Sequence, residues 1–206
     1  MKRTITNFAE PLHGELVELE RLSRDHGDLL WDAAQGGDVW TWLPIDGGSS
    51  RAAFDRWLDW VLQNADATPA VPFAVFEHGS ERIVGTSSYH AIVPEHLRVE
   101  IGMTWYAQRA WGTGVNVEGK LLMLARAFDE LGYRRVEFKT DARNVRSRAA
   151  LSALPAQFEG VLRKHMVVQR GRARDSAYYS VLDEDWPAVR ANLEQRLALH
   201  LQGARS

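Results

Sequence analysis

Between Pro72 and Tyr106 three strand-like runs stand almost end to end: "PFAVFEH", "RIVGTSSYHAI" and "LRVEIGMTWY". They are rich in β-branched and aromatic residues, and "HGSE" between the first two is a turn signal that predicts a hairpin. Connections this short leave no room for a crossover helix, so the three runs are expected to pair antiparallel. After Tyr106 the pattern changes to helix and strand in alternation. "VEGKLLMLARAFDELG" sets Val117, Leu121, Leu124, Ala125 and Phe128 inward on a helix closed by Gly132. "YRRVEFKTD" reads as a strand and "NVRSRAALSAL" as a helix capped by Asn144. "AQFEGVLRKHMVVQ" and "GRARDSAYYSVL" read as strands, and "DEDWPAVRANLEQRLALHL" as a closing helix.

Ahead of the three runs, "GELVELERL" alternates apolar and polar residues and predicts a first strand from Glu15 to Leu22. Ser23 is placed to cap a short helix in "SRDHGDLLWDAA". "SRAAFDRWLDWVLQNA" spaces Phe54, Trp57, Leu58, Val61 and Leu62 as an amphipathic helix. This order predicts an α/β fold with a mixed, mostly antiparallel sheet of about seven strands and helices on both faces. No repeat, low-complexity stretch or linker interrupts it, so residues 1–206 are expected to form one domain.

Composition excludes several chemistries. Without cysteine there is no disulfide, thiolate metal site or cysteine nucleophile. The seven histidines show no paired spacing, so no metal site is expected; His165 reads as an exposed strand residue. No run approaches 18 apolar residues and the start lacks a signal-peptide core, which points to a cytoplasmic protein without a membrane partner. The net charge of −2 hides an asymmetry. Residues 1–66 hold twelve acids against six bases, whereas Arg143 to Arg174 hold seven arginines and Lys164 against Glu159. That basic stretch lacks interleaved aromatics, so nucleic acid is not an expected partner.

"AWGTGVNVEGKL" poses a choice between two phosphate motifs. Gly114, Gly119 and Lys120 sit at P-loop spacing, but Leu121 stands where that motif needs a hydroxyl for magnesium. Gly119 and Lys120 also fall inside the predicted helix, where Lys120 reads as an ordinary helix residue. A dinucleotide fingerprint fails because Val117 occupies the third glycine position. What remains is a strand, a turn bearing Gly112 and Gly114, and a helix start whose free N–H groups favour an anion, with Arg109 adding a cation. The alternative is a plain strand-to-helix turn.

Arg109-x-x-Gly112-x-Gly114 resembles the acetyl-CoA pyrophosphate motif of the GNAT N-acetyltransferases. "RRVEFKTDARNVRSRAALSAL", "AQFEGVLR", "RDSAYYSVLDEDWPAVRANLEQRL" and "LVELERL" are similar to the branch containing RimJ and RimL, over most of the chain and in order. The resemblance implies that "RVEIGMTWY" bulges and splays from "RVEFKTD", the fourth and fifth strands, to make a cleft for acetyl-CoA. Backbone of Met103, Thr104 and Trp105 would then pair with the pantetheine arm. Gly112, Thr113, Gly114, Val115 and Asn116 would cradle the pyrophosphate. Asn144 would reach the arm, and Ser147 would approach the thioester sulfur.

Acyl transfer to a primary amine needs the amine neutral and a proton for the leaving thiolate. The resemblance makes Glu100 the candidate base, directly or through a water; the alternative is a strand carboxylate paired with an arginine. Leu151 stands where many relatives have an acid tyrosine, which leaves Ser147 as the branch's candidate donor, or as a second capping hydroxyl. Tyr178 and Tyr179 are core or cleft residues by alternation. Pro155 replaces the usual helix-ending glycine and predicts a reshaped joint, since proline cannot take positive φ. Trp57 and Trp60 are expected in the core. Trp40 and Trp42 would wall an amine pocket or make a homodimer contact. Coenzyme A would favour the arginine-rich half and a cationic amine the acidic half. The expected function is N-acetylation of an amine, a protein N-terminus among the candidates; the alternatives are a non-catalytic CoA-binding scaffold or transfer of another acyl group to a small amine.

Overall fold

The computed structural model describes residues 5–36, 38–78, 80 and 82–204. Eight strands make one sheet: β1 (Leu12–His13), β2 (Val17–Arg21), β3 (Val71–Glu77), β4 (Arg82–Val93), β5 (Arg98–Tyr106), β6 (Arg135–Asp141), β7 (Gln157–Val168) and β8 (Arg172–Leu182). Their spatial order is β1-β2-β3-β4-β5-β6-β8-β7, and only β5 and β6 run parallel. The strand beyond the expected seven is β1, whose two residues are too few to leave a periodic signal. The hairpin of β3 and β4 pairs as expected; Gly79 and Glu81 of its turn lie outside the described residues.

Helices α1 (Gly27–Ala33) and α2 (Arg51–Ala67) cover one face, while α3 (Val115–Ala125), α4 (Val145–Ala153) and α5 (Trp186–Ala204) join the core on the other. Period-two alternation divides each central strand between the two cores. Ala74, Ile83 and Trp105 pack with Leu30, Phe54 and Trp57. Their neighbours Val75, Val84 and Tyr106 pack with Met123, Leu124 and Leu193. Among the described residues no helix is long and apolar enough to cross a membrane.

Two local devices fix α3 relative to the sheet. The helix starts at Gly114, whose φ of +89° suits glycine and whose missing Cβ would meet His200 and Leu16 at 2.9 Å. One turn later the buried Glu118 carboxylate accepts N–H bonds from Glu15, Leu16 and Val17 at 2.7–2.8 Å. These charge-assisted bonds tie the start of β2 to α3 and satisfy an otherwise costly buried acid.

The joint after α4 carries Pro155. Ala156 N–H bonds to the Leu151 carbonyl at 3.1 Å, so the helix closes with the hydrogen bond that a glycine ending uses, with proline at the corner position.

Candidate active site

β5 and β6 stay hydrogen-bonded over three residue pairs, Arg98 to Glu100 against Arg135 to Glu137, and then part. Beyond Glu100, β5 pairs with β4 alone, while β6 continues beside β8. Thr86 faces Trp105 and Ser88 faces Gly102, so Met103 and Thr104 oppose the single residue Ser87. Met103 takes φ +48° in this bulge, which turns β5 further from β6. A cleft of about 700 Å³ fills the gap. Trp42, Leu43, Pro44, Ile45 and Trp60 form one wall. Gln169, at the β7–β8 turn, fastens that wall: its Nε2 donates to the carbonyls of Trp40 and Leu43, both at 2.8 Å.

Glu100 sits where the strands part, 7% exposed and lining the cleft. Its Oε2 accepts from Lys139 Nζ at 3.1 Å, so it is an ion-paired strand carboxylate whose partner is lysine, not the arginine of the sequence alternative. A Cβ on Gly102 would come within 2.9 Å of Oε1, so that glycine leaves room for the carboxylate on the cleft side. His90 faces Glu100 across β4–β5 and also lines the cleft; its Nε2 has no hydrogen-bond partner. Burial, helped by nearby Lys139, lowers the imidazole pKa to about 4, so His90 is neutral at physiological pH.

Lys120 is more than a helix residue. Its amine is buried, lines the cleft and donates to Thr104 Oγ1 at 3.0 Å; Thr104 in turn shares a 2.7 Å bond with Ser87 Oγ. Desolvation lowers its pKa to about 7. A sequence signal existed: Lys120 is three residues after Val117 and four before Leu124, on the apolar stripe itself.

The Gly112–Asn116 turn meets the cleft unevenly. Gly112, at φ +76° with open space where a Cβ would stand, and Asn116 line it. Thr113 Oγ1 donates to the Ala110 carbonyl, Val115 is core, and Gly114 packs on α5. One Arg109 nitrogen donates to the Ile83 carbonyl at 2.9 Å, which ties the turn to β4. The cation over the turn is Arg146, which lines the cleft with its guanidinium 3.6 Å from the centroid of Trp111. Nothing in the sequence pattern of α4 announced that contact.

On α4, Asn144 Oδ1 caps the helix by accepting from Ser147 N–H at 3.0 Å. The Ser147 hydroxyl makes no hydrogen bond among the described residues, and Ser147, Leu151 and Asn144 all line the cleft. Tyr179 is core and receives a bond from Arg148, whereas Tyr178 lies beside Lys139 and His165. His165 is exposed, as expected. Trp57 is core, but Trp60 is only half-buried and helps wall the cleft. Trp40 is buried against Phe54, Trp57 and Trp105 and is not among the cleft-lining residues; Trp42 does line the cleft. Among the described side chains, no acid of residues 1–66 lines the cleft, although the charge of Asp38 reaches the cleft-lining Arg146.

This arrangement fits an acyl-CoA. An edge of β5 free of strand partners past Glu100 matches an extended arm carrying amides. The glycine turn presents the free N–H groups of α3, with Arg146 as a cation nearby. The same conclusion follows from known proteins. The family described as "Acetyltransferase (GNAT) domain" matches residues 17–156, and the chain belongs to that family of N-acetyltransferases. A GCN5-related N-acetyltransferase from Brucella melitensis is 34% identical with a TM-score of 0.83, over 92% of this chain and 86% of that one. The uncharacterized N-acetyltransferase p20 of Bacillus licheniformis is 25% identical over 86% of this chain and 98% of its own. Mycobacterium smegmatis RimJ, solved in complex with CoA-disulfide, shares the fold at 19% identity and a TM-score of 0.75, over 92% of this chain and 95% of that one.

Proposed function

We propose that the chain, acting as one unit over residues 1–206, transfers an acetyl group from acetyl-CoA to a primary amine. The thioester supplies an activated acyl carbonyl when bound. Glu100 takes the proton that the amine must lose, through a water held between the carboxylate and the neutral ring of His90. Lys139 pairs with Glu100 and holds it oriented toward Gly102. Ser147, with a hydroxyl free of protein partners among the described residues, donates a hydrogen bond to the departing sulfur, and the proton taken from the amine balances the thiolate through solvent. The donors at Met103, Thr104 and Trp105, the glycine turn and Asn144 orient the arm, and the tryptophan wall excludes water from the acceptor. A peptide N-terminus and a small amine both belong to this acceptor class.

The observation that carries the reading is the position of Glu100, buried and lining the cleft at the last residue before β5 and β6 separate. Thiol release should follow addition of acetyl-CoA and an amine. Glu100→Gln should lower kcat by about 10²-fold, the lower range for a general base, with coenzyme A affinity unchanged by calorimetry. Equal turnover in wild type and variant would remove Glu100 from the mechanism.

A further inference from the structure

Arg174 is the charge at this site that the reaction so far leaves without a task. It lies on β8 opposite Met166 of β7; both residues line the cleft, and Arg174 is 4% exposed. Its Nε has no hydrogen-bond partner, and no carboxylate lies within ion-pair distance of it among the described residues. The two acids whose charge reaches it are already engaged. Asp141 takes Arg172 and the Arg143 N–H, each at 2.9 Å, and Glu100 takes Lys139 at 3.1 Å. Arg172 is the cation whose charge also reaches Arg174, and it is held by Asp141.

A guanidinium stays charged in proteins, and a buried charge without a partner is destabilising unless a ligand completes it. We propose that Arg174 is an oxyanion subsite for the acceptor: the substrate carries a carboxylate or phosphate close to its reacting amine. Such an acceptor is zwitterionic, matching its ammonium to Glu100 and its oxyanion to Arg174. Amino acids, aminoalkyl phosphates and peptide N-termini with an early acidic side chain all have this form. The proposal rests on the acetyl-transfer reading above.

The test compares matched acceptors by thiol release: an α-amino acid, its decarboxylated amine, an aminoalkyl phosphate, and short peptides with acidic or amide second residues. Wild type should favour the anionic member of a pair by about 10-fold or more in kcat/KM, the range for hydrogen bonds to a charged group. In Arg174→Gln that preference should vanish while the neutral amine keeps its rate within about twofold. Coenzyme A affinity should be unchanged and the melting temperature should not fall, since a buried unpaired charge has been removed. Whether the carboxylate or the phosphate series shows the larger loss identifies the oxyanion. Equal rates for anionic and neutral acceptors in wild type, or an equal loss for both in the variant, would overturn the subsite and leave acetyl transfer standing. No thiol release with any amine would sink both.

Discussion

Lys120 carries its amine to the cleft through a helix whose buried neighbours are Val117, Met123 and Leu124. Burial lowers its pKa from 10.5 in the unfolded reference to about 7 in the fold. The unfolded chain therefore holds the extra proton between those values, and stability should rise with pH across that window. It should be fully present above about 10.5 and lost as pH falls through 7, at about 1.4 kcal/mol per pH unit. Lys120→Met should flatten the rise and raise the melting temperature at pH 7 by several degrees, which denaturation at pH 7, 8 and 9 would measure. Parallel profiles for wild type and variant would show that the amine is solvated. Glu118 teaches a related lesson about reading residues. In the sequence it is one acid in a helix, and its three backbone partners lie about a hundred positions upstream. Local pattern cannot announce a bond whose two ends meet only after folding.

Elements were legible in proportion to their periodicity. The strands and helices with strong alternation or stripes stand where the sequence put them, including the Asn144 cap of α4. The bulge at Met103 has no such signature, because "RVEIGMTWY" reads the same whether its register slips or not. The splay was legible only through resemblance to a known family. At the joint between α4 and β7, Pro155 signals only that the helix stops; the closing bond from Ala156 N–H to the Leu151 carbonyl is set by the fold.

At the scale of the whole molecule, the charge asymmetry of the sequence proved a poor guide to the site. Among the described side chains the acids of the first 66 residues lie outside the cleft lining, while Arg146 and Arg174 of the basic stretch enter it at separate places. Net charge along a chain says nothing about which side of a strand or helix each group will face. The sheet as a whole joins β1–β5 to β6–β8 through the three residue pairs between β5 and β6. Addition of coenzyme A should slow amide exchange in residues 101–105, where β5 lacks a second neighbour, far more than in β3, which is paired on both edges. Uniform protection across both strands would count against an arm lying along β5. Two halves of a sheet joined along so short a spine stand like a book held slightly open. The angle of opening sets how far donor and acceptor stand apart, so a substitution that only loosens one cover can change reactivity without touching a page.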